Sequence, residues 1–227
     1  WNLAEEFVNM YIGHGGEFFS AGSAKPSINN AKGVATLNML KKLADLSNPD
    51  FLTHDSEAIK VEWEAGNVAI MTLWASRSGT LLDDEGDAKI TAATKLVAPA
   101  TVGGGNIPAA TLWWDGFTLA KNRPDADAEA SFRAMAHAAS SKEMVAKASD
   151  QAVWLVEGFV PGPKSVGVIE AVKMGAKPYP MLPQMGLMHG ALGNEIVEFL
   201  QGNETAEQAL KDVEAAYNTK AKEQGFL

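Results

Sequence analysis

Aromatic rings and carboxylates fall close together at two places in this sequence. Trp74 follows directly on the apolar run Val68-Ala69-Ile70-Met71-Thr72-Leu73, and Arg77 stands three residues beyond it. Further along, Trp113-Trp114-Asp115-Gly116 precedes a second apolar run, Phe117-Thr118-Leu119-Ala120. An indole presents a flat apolar face, and a carboxylate accepts two hydroxyl hydrogen bonds at once, each about twice as strong as a neutral one. Together they suit a hydroxyl-rich molecule held in a largely preformed cleft. Adjacent residues of an extended segment point to opposite faces, so Trp113 and Trp114 do not share one. The reading takes Trp114 and Asp115 as the ligand-facing pair. The plainer alternative is a core tryptophan closing a strand, with an aspartate forming the turn before glycine.

Those residues need elements to position them. The continuous apolar run 68–73 reads as a strand buried on both sides, and 90–97 and 117–120 read as further strands. Trp74 would then sit at the carboxyl end of a strand, where open α/β sheets place their ligands. A helix is expected over Leu3–Ile12, stopped by Gly13-His14-Gly15-Gly16. Asn29 or Asn30 can cap a helix with Val34, Leu37, Leu40 and Leu43 on one face, and Ser56 can cap the next, with Ile59 and Trp63 four apart. Pro124-Asp125 opens an alanine-rich helix, and Ser140 or Ser141 caps the following one. Helices are also expected over 166–174 and around Leu187, Leu192, Ile196, Phe199 and Leu200. Thr205-Ala206-Glu207-Gln208 has the form of a capping box before a last helix with Ala209, Leu210, Val213 and Tyr217 inward. Residues 83–87 read as a charged turn and 154–164 as a loop. Strands and helices alternate early and helices dominate late, which predicts an α/β architecture.

Composition narrows the chemistry. The 227 residues carry 19 Lys and Arg against 28 Asp and Glu, a formal charge of −9. Nucleic acid and anionic membranes require clustered cations, which are absent here. There is no cysteine, hence no disulfide, thiolate nucleophile or cysteine-held metal. His14, His54, His137 and His189 lack metal-ligand spacing, so no metal and no cofactor is expected. Gly103-Gly104-Gly105 lacks the lysine of a phosphate loop, and no Gly-x-Ser-x-Gly elbow occurs. No apolar stretch is long enough to span a bilayer.

Several stretches in order resemble one family. Gly15-Gly16-Glu17-Phe18 and Asn29-Asn30-Ala31-Lys32-Gly33-Val34 come first. Trp63-Glu64-Ala65-Gly66-Asn67-Val68-Ala69-Ile70-Met71 looks like the "F..G.aAM" signature, with Trp in place of Phe. Trp114-Asp115-Gly116-Phe117 through Asn122, Met181-Leu182-Pro183-Gln184-Met185 and Thr205-Ala206-Glu207-Gln208-Ala209-Leu210 follow. Together these resemble the family 1 extracellular solute-binding proteins, the maltose-binding-protein-like sugar receptors of ABC transporters. The resemblance implies a type II periplasmic-binding-protein-like α/β fold, covering the carboxy-terminal lobe and part of the amino-terminal lobe, with the front of such a protein missing. It implies segments 1–113 and 161–227 in the carboxy-terminal lobe and 114–160 as a crossover segment of the other lobe, with closure hinged near 114–117 and 159–162.

Functionally, the resemblance implies a non-enzymatic receptor that binds a mono- or disaccharide or a polyol and delivers it to an ABC permease, in the periplasm or on the cell surface as a lipoprotein. It also implies three more contacts with the ligand: Arg77 after Trp74, Glu157 in the loop before Phe159-Val160-Pro161, and His189. Around Gly186–Gly193 the sequence departs from the family, with Met188, His189 and Gly190 where aromatic and arginine side chains are expected. Solvated loop charge and a helix histidine are the plainer readings of Glu157 and His189. Two other functions stand beside the receptor: a carbohydrate-acting enzyme using Asp115 and Glu157 as paired carboxylates, and an interaction module without a small ligand.

Overall fold

A computed structural model describes residues 2–83, 87–154 and 156–227. In chain order its helices are α1 (Asn2–Gly13), α2 (Ala31–Leu46), α3 (Ser56–Glu64), α4 (Ala75–Ser78), α5 (Ala88–Ala93), α6 (Asp125–Ser140), α7 (Lys142–Lys147), α8 (Val166–Lys173), α9 (Met185–Glu195), α10 (Val197–Gln201) and α11 (Ala206–Glu223). The strands β1 (Thr111–Leu112) and β2 (Lys177–Pro178) pair in parallel, Thr111 with Lys177 and Leu112 with Pro178. The chain divides into two compact units. The first comprises Trp1–Asp55, Pro99–Leu112 and Ala171–Leu227, and the second comprises Ser56–Ala98 and Trp113–Glu170.

The first unit is a helical bundle. Phe7, Val8 and Tyr11 of α1, Leu37 and Leu40 of α2, Met188 and Leu192 of α9, and Leu210, Val213 and Tyr217 of α11 share one buried core. Helix α9 packs on both α1 and α11, and α2 packs on α1 and α11. Their apolar residues recur at threes and fours, which places one stripe of each helix inward. Caps fix the starts: the Asn30 side chain accepts from the amides of Lys32 and Gly33, and Thr205 from Gln208. The Gln208 side chain donates to Asp212 Oδ2 at 2.7 Å, so only the Thr205 half of the expected capping box forms. Buried polar groups tie the loop 17–30 to the helices. Tyr217 Oη donates to Ala24 O at 2.7 Å, and Glu214 Oε1 accepts from the amides of Ile28 and Asn29 at 2.9 Å each. Gly33 is obligatory here, because a Cβ would penetrate the Ile28 carbonyl oxygen.

Helices α3 to α7 lie in the second unit, whose interior is small. Among its described residues, Leu81 and Val145 are the only buried hydrophobic side chains. Polar contacts fasten its parts. Trp63 Nε1 donates to Thr94 Oγ1 at 3.0 Å and Trp154 Nε1 to Ala148 O at 2.8 Å. Lys164 Nζ lies 2.5 Å from Asp83 and 3.4 Å from Asp150, and the hydrogen bond to Asp83 holds its ammonium above the usual lysine range.

The expected type II periplasmic-binding-protein-like α/β fold, with its carboxy-terminal lobe and part of the amino-terminal lobe, is overturned. The structure is 55% helical, and its one sheet among the described residues is the two-residue pair β1–β2. Residues 68–73 and 117–120 belong to no strand, 69 and 70 forming a bend, and 90–93 fall within α5. The cause is the non-local nature of a strand: an apolar run becomes a buried strand only if neighbours accept its hydrogen bonds on both sides. Among the described residues none of these runs has such neighbours, and Ile70, in the middle of the first, is 89% exposed. Helices succeed where strands fail because their hydrogen bonds close within the segment. Part of the expected charged turn 83–87, residues 84–86, lies outside the described residues.

Candidate functional site

Trp74 stands just before α4, and its carbonyl accepts the amides of Arg77 and Ser78 at 2.8 Å each. This tight turn anchors the tryptophan backbone without any strand beneath it. Its half-buried ring meets Trp113 edge to face, with centroids 5.8 Å apart and planes at 75°. That geometry directs the positive edge of one ring at the negative face of the other and is favourable beyond simple burial. Trp113 remains 40% exposed and Trp114 is 74% exposed. The two neighbours thus have different surroundings, as side-chain alternation along an extended segment requires. Asp115 and Gly116 follow, both exposed.

The chain then runs along a concave surface of the same unit. Thr118, Leu119, Ala120 and Arg123 form one wall, and Asp127, Ala130 and Ser131 of α6 the other, around about 460 Å³. Its polar complement is mixed: one guanidinium, one carboxylate and two hydroxyls. Such a lining can donate and accept hydrogen bonds without imposing a net charge on what it holds.

The remaining expected contacts lie elsewhere. Arg77 forms an ion pair with Glu57 of α3, both side chains being about half exposed or more. Its guanidinium is therefore already engaged, in a pair of the exposed kind that adds little stability. Glu157 is exposed in the turn closed by the Phe159 amide on Val156 O at 3.3 Å. Asp115 and Glu157 are both exposed.

His189 belongs to the first unit. It is 3% exposed on α9, with Nδ1 3.0 Å from Tyr179 Oη. Burial, helped by Glu5, pushes the Tyr179 phenol up to about 12. In the same unit Thr111 Oγ1 lies 2.5 Å from Glu5 Oε1 and 2.8 Å from Asn9 Oδ1. His189 is thus a buried side chain paired with Tyr179, while Glu5 and Asn9 of α1 meet Thr111 of β1.

The structure therefore joins Trp74 to Trp113 and sets Trp114 and Asp115 beside them in the chain, all within the second unit. Trp113, and not its neighbour Trp114, is the ring that meets Trp74, although alternation along the segment already separates the two in the sequence. The concave surface along α6 was also missed; Arg123 and Asp127, four residues apart at the start of a helix, are its signal in the sequence. Among the described residues no group of three or more His, Asp or Glu could hold a metal ion, and no helix is long and apolar enough to cross a membrane. Neither the family models nor the curated proteins contain a match to this chain.

Proposed function

We propose that the chain is the solute-binding component of an ABC importer, binding a mono- or disaccharide or a polyol and delivering it to a membrane permease outside the cytoplasm. The observation that carries the reading is the Trp74–Trp113 edge-to-face pair, left partly open to solvent beside exposed Trp114 and Asp115. A monomeric soluble protein gains nothing from exposing two adjacent indoles unless something covers them. A pyranose has the right faces: its C–H surface packs on an indole while its hydroxyls reach a carboxylate. Stacking contributes about 0.5–1.5 kcal/mol per ring beyond burial, and a hydrogen bond to the carboxylate about 1.5–3 kcal/mol. The importer half of the proposal, including the permease partner and the periplasmic or cell-surface location, is supported by the order of family-like motifs from Gly15 to Leu210.

Isothermal titration of the chain with mono- and disaccharides and polyols tests the binding half. Saturable binding is expected, with Trp114→Ala and Asp115→Asn each weakening it about tenfold or more. Absence of binding to every carbohydrate, alongside saturable binding of another solute class, would refute it.

A further inference from the structure

Asp115 and Gly116 form the only Asp-Gly or Asn-Gly step in the sequence. Such a step can react with itself, because the amide nitrogen of the glycine reaches the side-chain carboxyl carbon through a five-membered ring, held close by the chain. Three conditions decide whether it does so in a folded protein. The attacking nitrogen must be free of a protein hydrogen bond, the carboxyl must be free to turn towards it, and the approach must be clear. Regular secondary structure withholds all three by tying up the amide and fixing the backbone torsions.

The second unit meets each condition at this step. Residues 113–120 are exposed throughout and belong to no helix or strand. Among the described residues the Gly116 amide donates no hydrogen bond, and the Asp115 carboxylate has neither a hydrogen bond nor an ion pair. A Cβ added to Gly116 would meet no heavy atom within 4 Å beyond its chain neighbours, so nothing packs against the glycine. The Asp87 carboxylate, by contrast, is held at 2.7 Å by the Lys89 amide, and that of Asp212 at 2.7 Å by the Gln208 side chain. We infer that Asp115–Gly116 is a site of spontaneous covalent modification, at which the main-chain link passes from the Asp115 carbonyl to its side-chain carboxyl with water as the sole co-reactant.

The reaction balances without a catalyst or a redox partner. The Gly116 nitrogen attacks Cγ of the Asp115 carboxyl and forms an N–Cγ bond. One carboxyl oxygen leaves as water, carrying the amide proton and the acid proton, and a cyclic imide remains. Water then adds at one of the two ring carbonyl carbons. Cleavage of N–Cγ restores aspartate. Cleavage between the nitrogen and the Asp115 main-chain carbonyl carbon gives an isoaspartyl link, in which the chain runs through Cβ and Cγ and the former main-chain carbonyl becomes the free carboxylate. The mass is unchanged, but the main chain is one atom longer and the carboxylate has moved. Next to Trp114, that movement takes the carboxylate away from the ligand hydroxyls, a consequence that rests on the receptor reading, whereas the isomerisation itself does not.

Ageing the whole folded chain at physiological temperature and neutral pH tests the inference, followed by proteolysis and electron-based fragmentation, which distinguishes the two linkages. A synthetic peptide spanning 112–121 serves as the unrestrained reference. Isoaspartate should accumulate at Asp115 ahead of every other aspartate, at a rate within about twofold of the peptide's, because no local structure has to open first. Gly116→Ala should slow it about tenfold or more by placing a Cβ beside the attacking nitrogen. Asp115→Glu, which would have to close a six-membered ring, should leave the position unmodified over the same period. Both residues are exposed, so neither variant should change the melting temperature. A folded chain that stays unmodified or converts far more slowly than the peptide, another aspartate that isomerises first, or an undiminished rate in Gly116→Ala would each overturn the proposal.

Discussion

Glu6 allows a sharp prediction about stability. It lies half-buried on α1 directly after Glu5, and burial first, with Glu5 second, raises its carboxyl from an ordinary 4.5 to about 7. The folded protein thus keeps its proton where the unfolded chain has lost it. Stability is highest below pH 4.5, falls as pH rises towards 7, and is level above, because in that window the folded state binds more protons than the unfolded state. The rise from 4.5 to about 7 corresponds at most to about 3.4 kcal/mol. Water reaching the half-buried carboxyl lowers this, so about 1–3 kcal/mol is expected. Glu6→Gln removes the titration while keeping size and hydrogen-bonding capacity. Urea unfolding at about pH 8 should show the variant more stable by that amount, a rise of roughly 2–12 °C in melting temperature for a chain of this length. At about pH 4 the two proteins should be equal. A gain of the same size at both pH values, or none at pH 8, would refute the argument that a buried charge is the cause.

Three further substitutions probe the contacts described. Gly33→Ala forces a methyl into the Ile28 carbonyl and against Leu210, and should destabilise the first unit by about 1–3 kcal/mol in chemical denaturation. Tyr217→Phe leaves the Ala24 carbonyl without its 2.7 Å donor and should cost about 1–2 kcal/mol, measured in the same way. Arg77→Ala breaks only an exposed ion pair with Glu57, and its effect on unfolding should stay within about 0.5 kcal/mol. A larger loss would mean that the guanidinium supports more than Glu57.

Much of the helical framework was legible because its signals are local. Asn30, Ser141 and Thr205 cap the helices that follow them, and α6 begins directly after Pro124, at the expected Asp125. The inward face of α11, with Ala209, Leu210, Val213 and Tyr217, follows from helical periodicity alone. The strands were not legible, since an apolar run such as Val68–Leu73 carries no information about whether partners exist to receive its hydrogen bonds. For the same reason the α/β architecture built on those strands failed while the helices around it held. At the site, alternation along the chain separated Trp113 from Trp114, but only the fold shows that Trp113 is the one that meets Trp74. His189 could be placed on a helix from the sequence, whereas its burial against Tyr179 depends on a segment ten residues away.

The tryptophan site is most directly tested by following the indole N–H signals of Trp74, Trp113 and Trp114 during carbohydrate titration. A bound sugar or polyol should shift Trp113 and Trp114 saturably, move Trp74 through its edge contact, and leave Trp63 and Trp154, whose indole nitrogens are hydrogen-bonded within the unit, unchanged. Indole signals that stay fixed through every carbohydrate, while calorimetry detects binding of some other solute, would contradict it.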